Sequence, residues 1–439
     1  MYIERILLKN YRAHALLDLR FRPGMTVVAG VNGAGKTSLL HGIFEALTPA
    51  APNLPGLALP TSFGEAGFAH VKAAAPNGRV RFEEQYPVQL DVVVEAYGSL
   101  RTWSVVRSLT QHQVLGEAGN GILQDRMLEA AKSIDTAEPQ SLAVLAFYRA
   151  DRAWWSGDAN VLAAAIERSS RGHGYDNWGH AGQRSEAVER WIVAKSLERL
   201  QVASETGQQF SQVVGDELEQ VIRALHAALP AFQSIYYDFT SKRILVDWRG
   251  DDIEPAERIE LVAFEHLSAG QRAVICLIAD IARRMCLLNP HLGDEVTSQT
   301  EGIVLIDEID MHLHPAWQRA LTRGLVKAFP KVQFIVASHS PQVIGEISHE
   351  NVILLTPEGP VNPQGSFGMT SNQVLQELME AEVRATPVRE RLAEIDEALA
   401  RNQLDEAERK IQSLSKDAPE LRELAGAEAL LKRKRVLGR

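Results

Sequence analysis

The run Gly30-Val31-Asn32-Gly33-Ala34-Gly35-Lys36-Thr37 constrains this chain more than any other stretch. It satisfies G-x-x-x-x-G-K-[ST] at every defined position, with an apolar run, Met25 to Ala29, before it and a helical pattern, Ser38 to Leu47, after it. Strand, glycine loop and helix in that order make a phosphate-binding loop. The glycines let successive N–H groups turn inward around an anion, and the helix adds its positive N-terminal end. Asn32, Gly33, Ala34, Gly35 and Ser38 are therefore expected around a phosphate chain. Lys36 is expected to reach its β- and γ-phosphates, and Thr37 to ligate Mg²⁺.

Two later segments extend the pattern. Ile303-Val304-Leu305-Ile306-Asp307-Glu308 is a buried-strand pattern ending in two acids. Such a strand delivers the first carboxylate, Asp307, to Mg²⁺, and leaves the second, Glu308, to polarise an attacking water. Leu267-Ser268-Ala269-Gly270-Gln271 precedes a long helical pattern, with Ser268 as its N-cap and small residues that allow close approach of a phosphate. His339, in Ala337-Ser338-His339-Ser340-Pro341, directly follows another apolar strand. His312 and His314 stand two apart among acids, a spacing that on a strand would also suit zinc.

Around these motifs the chain alternates helix and strand from Gln271 to Leu355, which predicts a mostly parallel sheet covered on both faces. Residues 80–106 read as further strands, Ala50 to Gly78 as a long surface loop, and Asp158 to Leu229 as mostly helical. A hairpin is expected at Ile235–Phe239 and Ile244–Trp248. The expected organisation is a head over residues 1–380, with a helical insertion at about 156–232, and a charged helical region over 381–439, including a helical hairpin within Ile395–Leu414. Of the 439 residues, 46 are Lys or Arg and 56 are Asp or Glu, so the net charge of -10 argues against coating nucleic acid by bulk charge. Two cysteines exclude a disulfide framework and a four-thiolate zinc site. With no signal-peptide pattern and no run of about 18 apolar residues, a cytoplasmic setting is expected.

The phosphate loop, Leu267–Gln271, Ile306-Asp307-Glu308 and His339 together resemble the Walker A, signature, Walker B and switch-histidine set of ABC-type ATPases. Asp310-Met311-His312-Leu313-His314-Pro315 resembles the D-loop of the group around RecF, OLD and SMC heads, and Asn10-Tyr11-Arg12 resembles a triplet found after the first strand there. The resemblance implies an α/β head with a mostly parallel sheet flanked by helices and an antiparallel β subdomain. It implies ATP and Mg²⁺ as ligands, Glu308, Lys36 and His339 as catalytic groups, and Arg12 as a nucleotide contact. It also implies a head-to-tail homodimer in which Ser268, Gly270 and Gln271 of one chain close over the ATP of the other. Where that family carries its Q-loop glutamine, after Leu145, this chain offers only Tyr148 and Arg152.

Over most of its length the chain resembles stand-alone anti-phage ATPases of the PtuA type from Septu systems and retrons, notably in Asp307 to Gln318, Ser338 to Val343 and Ser371-Asn372-Gln373. That resemblance implies a switch that gates a separate effector, an HNH-type nuclease, docked on the charged C-terminal helices. The alternative is a RecF-like clamp acting directly on DNA, for which Arg79, Arg81, Arg101 and Lys432 to Arg435 are the available basic groups. About 230 residues separate the phosphate loop from the signature, without heptads, and about 100 follow His339, too few for an SMC arm or an OLD-type nuclease domain.

Overall fold

A computed structural model of the chain describes residues 1–51, 68–74, 81–115, 125–126, 129, 139–152, 170–183, 186–249, 259–379 and 386–437. It divides into two compact units, Met1–Val374 and Leu375–Arg439.

The first unit is built around a six-stranded sheet. Its strands are β3 (Met25–Gly30), β9 (Val144–Tyr148), β13 (Gly302–Ile306), β14 (Val332–Ala337), β15 (Val352–Thr356) and β16 (Gly359–Val361), in the order β16-β15-β3-β14-β13-β9. All pairings but β15 with β16 are parallel. β3, β9, β13 and β14 are buried at every residue, as strands covered on both faces require, and their near-continuous Val, Ile and Leu content follows from that. β3, β14 and β13 are neighbours. The loops leaving their C-terminal ends therefore converge, which is where ligands bind in open α/β sheets.

A second, antiparallel sheet runs β2-β1-β6-β7-β8, from β1 (Tyr2–Tyr11), β2 (His14–Arg20), β6 (Val88–Ala96), β7 (Ser99–Arg107) and β8 (His112–Leu115). β6 alternates buried and half-buried residues along its length, the signature of a sheet with one core face. Helix α1 (Lys36–Leu47) lies between the two sheets and touches β1, β3, β6, β13 and β14. The indole of Trp103 on β7 donates to the carbonyl of Ala46 at 2.7 Å, and Gln333 on β14 exchanges hydrogen bonds with Ile3 at 2.7 and 3.0 Å. These ties fix the antiparallel sheet to both the helix and the parallel sheet.

Helices α2 (Glu186–Thr206), α3 (Glu217–Ala228) and α4 (Ala269–Leu288) pack together, and α5 (Pro315–Ala328) packs on α3. The expected hairpin is a three-stranded meander, β10 (Phe232–Asp238), β11 (Arg243–Arg249) and β12 (Ile259–Ala263), in which Trp248 stacks on Trp317 of α5, 9° from parallel. The expected loop over Ala50–Gly78 needs correction. His70–Ala74 is a strand, β4, paired antiparallel with β5 (Arg81–Gln85), and most of the rest of that stretch lies outside the described residues. No helix among the described residues is long and apolar enough to cross a membrane.

The second unit contains three helices, α6 (Thr386–Ala400), α7 (Leu404–Asp417) and α8 (Arg422–Leu437), where the sequence pattern pointed to a hairpin. Ile395, Leu399, Ala407, Ile411, Leu414, Leu424 and Leu431 form most of a small core, and the other faces are charged.

Candidate functional site

β3 ends at Gly30, and the chain turns through Gly30, Gly33 and Gly35 at φ of 147°, 82° and 91°, values that side-chain-bearing residues rarely adopt. At Gly35 a Cβ would also lie 2.5 Å from the His14 ring. His14 Nε2 hydrogen-bonds the Gly35 carbonyl at 3.0 Å, so β2 buttresses the loop from behind. Burial lowers the His14 pKa, which keeps the ring neutral near pH 7. Lys36 opens α1, is 6% exposed, and donates from Nζ to the carbonyls of Gly30 and Val31, both at 3.0 Å. The ammonium is thus folded back over the loop it is expected to share with phosphate. Burial lowers its pKa, against the opposing pull of Asp307, Asp310 and Glu308.

β13 delivers Asp307, buried, and Glu308, exposed, to the same place. Burial raises the Asp307 pKa, and a hydrogen bond from Thr37 works against that rise. A buried carboxylate beside a hydroxyl is a hard oxygen pair, and Mg²⁺ is held by one or two carboxylates together with substrate phosphates and water. Thr37 and Asp307 fit such an ion. Glu308 has φ of 47°, in the left-handed region.

His339 follows β14, half-buried. Burial, and secondarily Lys36, lowers its pKa, so the imidazole is neutral near pH 7. The segments after β13 and β14 are clipped together. The Ile309 N–H donates to the Ala337 carbonyl at 3.1 Å, Ser338 Oγ to Asp310 at 2.6 Å, and Ser340 Oγ to Gln318 of α5 at 2.6 Å. These polar ties were not legible as roles in the motifs, because each joins groups far apart in the sequence.

The result is one cleft of about 290 Å³ lined by Asn32, Gly33, Gly35, Lys36, Thr37, Ser38, Asp307, Glu308 and His339, with Ala13 and Ser338 at its wall. The structure therefore brings the expected phosphate-loop residues other than Ala34, the two acids and the histidine to one place. Arg12 does not line the cleft. It adjoins Ala13, its guanidinium lies 5.7 Å from the Tyr11 ring centre, and its carbonyl accepts from His70.

Ser268, Gly270 and Gln271 do not line it either. Ser268 and Gln271 form a reciprocal capping box at the start of α4, with Gln271 N–H donating to Ser268 Oγ at 3.2 Å and Ser268 N–H to Gln271 Oε1 at 2.9 Å. Ser268 stays exposed. Residues 307–314 form turns, not a strand, and His314 Nδ1 accepts from the Ala316 N–H at the start of α5. Among the described residues no group of three or more His, Cys, Asp or Glu side chains is arranged to hold a metal ion.

Comparisons with known proteins bear on the family. A family model named AAA_21, whose description includes "AAA domain", "AbiEii toxin" and "Type IV TA system", matches residues 221–345, and a second, AAA_23, described as "AAA domain", matches residues 5–220. The chain is 26% identical over 430 residues to the retron Ec83 probable ATPase of Escherichia coli, covering 87% of this chain and 77% of that one. It is 43% identical over 94 residues to the retron Vc95 probable ATPase of Vibrio cholerae, and 43% identical over 95 residues to Septu protein PtuA of Bacillus mycoides. These two matches cover 21% of this chain each, and 18% and 13% of those relatives. Motif order, sheet topology, family models and relatives agree: the chain is an ABC-type ATPase.

Proposed function

We propose that this ATPase is a dimerising switch that holds and gates a partner effector, a nuclease, in anti-phage defence. The observation that carries the dimer is the division of the motif set. The cleft gathers the phosphate loop, Asp307, Glu308 and His339, while the capped, exposed Ser268 stands outside it and is free to meet a second copy. The similarity to retron and Septu ATPases supports the defence setting. The charged helical unit at the C-terminus supplies a surface for the effector.

In the proposed cycle the loop N–H groups and Lys36 hold the phosphates of ATP. Lys36 gives up its bonds to the Gly30 and Val31 carbonyls for them. Thr37 and Asp307 hold Mg²⁺, which supplies charge neutralisation at the phosphates. Glu308 orients and deprotonates the attacking water, and neutral His339 offers a ring nitrogen to the terminal phosphate. Substituting Glu308→Gln is expected to trap an ATP-bound dimer. Light scattering with ATP tests this, and a mass equal to that of the nucleotide-free wild type would remove the support for gating.

A further inference from the structure

Glu308 occupies a strained backbone state, and the structure contains a device that holds it there. β9 pairs with β13 in register, Tyr148 opposite Ile306, and the Asp307 N–H donates to the Tyr148 carbonyl at 2.8 Å. Four residues after that strand, Arg152 turns its guanidinium under the acidic turn. Its Nη1 donates to the Asp307 carbonyl at 2.6 Å and to the Arg149 carbonyl at 3.0 Å, and its Nη2 donates to the Glu308 carbonyl at 2.8 Å.

Two consecutive carbonyls facing one cation fix the two peptide planes that flank the Glu308 Cα, and with them the left-handed φ of 47° at Glu308. Arg152 is 7% exposed and does not line the cleft, so it acts on the backbone and not on a ligand. Gly182, at φ of 86°, packs beside its stem, where a Cβ would approach Arg152 Cβ to 3.3 Å.

We propose that Arg152 is a positioning residue for hydrolysis, locking the Asp307–Glu308 turn so that the Glu308 carboxylate faces the phosphate loop. This rests on the reading of Glu308 as base. A planar fork with donors on both terminal nitrogens can span three carbonyls, and an ammonium cannot do so with the same geometry. The lock is absent from the nucleotide contacts, so its loss is expected in turnover and not in binding.

The test uses the full chain. Arg152→Ala and Arg152→Lys are compared with wild type for ATP turnover and for binding of a fluorescent ATP analogue. Glu308→Gln and the double variant Glu308→Gln/Arg152→Lys are measured in parallel. Displacing a reacting group by about 1 Å costs roughly 100-fold in rate, so kcat should fall between about 10- and 100-fold. Analogue affinity should stay within about threefold, and millimolar guanidinium should restore part of the turnover of Arg152→Ala. The double variant should be no slower than Glu308→Gln alone, because the lock serves only that side chain.

Unchanged kcat in Arg152→Lys, or a double variant slowed by the product of the two single effects, overturns the proposal. So does loss of analogue binding in a folded Arg152→Lys protein. Wild-type turnover by Glu308→Gln would instead overturn the base assignment, which separates the two failures. Should Arg152→Ala not fold, Arg152→Lys, which keeps the charge, carries the decision.

Discussion

Replacing Asp280 by Asn tests how the head carries charge inside its core. Asp280 lies on α4, fully surrounded, and accepts from Tyr148 Oη at 2.8 Å, Arg284 Nε at 2.8 Å, and Arg283 Nε and Nη2 at 3.2 and 2.7 Å. Arg283 and Arg284 are 7% and 3% exposed, and among the described residues Asp280 is the carboxylate that forms an ion pair with each. Burial pushes the Asp280 pKa up, but the two arginines more than reverse this and hold it far below the ordinary range. Asparagine keeps the shape, removes the charge and turns an amide N–H₂ toward N–H donors. Removing one partner from a buried ion network costs about 3–5 kcal/mol. With a urea m-value of about 3 kcal/mol per M, the unfolding midpoint of the head should fall by about 1–1.7 M.

The sign with pH is fixed by the depressed carboxyl. The stabilisation is complete above the unfolded aspartate value of about 3.9 and is lost as pH falls below it toward the folded value. The gap between wild type and Asp280→Asn should therefore be constant from neutral pH down to about pH 5 and close in stronger acid. Urea melts followed by tryptophan fluorescence at several pH values supply the measurement. A midpoint shift under about 0.2 M at neutral pH would refute the reasoning, since it would mean that the arginines find other counter-charge.

Gly35→Ala combines a left-handed backbone, costing an L-residue roughly 1–2 kcal/mol, with a collision against the His14 ring. ATP affinity by calorimetry should drop by at least about tenfold, and adding His14→Ala should recover part of it; no recovery would place the defect in φ alone. Ending the chain after Val374 should preserve analogue binding and release the proposed effector. Continued co-purification of the effector with that truncated head would move the docking surface elsewhere.

Much of the head could be read from the sequence because its motifs are local. The strand, glycine loop and helix at Met25–Leu47, the Ile303–Ile306 strand with its two acids, and the Ser268 cap each declare themselves within a dozen residues. What could not be read depends on which strands are neighbours. Arg152 meets Asp307 across 155 positions, and His14 meets Gly35 across 21. Nothing in the local pattern distinguishes either residue from an ordinary surface arginine or core histidine. The strand β4 escaped for a different reason. His70-Val71-Lys72-Ala73-Ala74 has too few β-branched or aromatic residues to signal an edge ribbon, and only its pairing with β5 defines it.

Gly270 ends close to His312: a Cβ there would come within 2.8 Å of the His312 carbonyl oxygen of the same chain. Its smallness is therefore demanded by the solitary protomer before any second copy arrives. In a genetic screen, loss of function at position 270 reports damage to the fold of one chain as readily as loss of pairing, and so says little about assembly. Ser268 is the informative position. It is exposed, its capping role tolerates Thr, Asn or Asp, and a defect that survives those exchanges would isolate what the second chain requires.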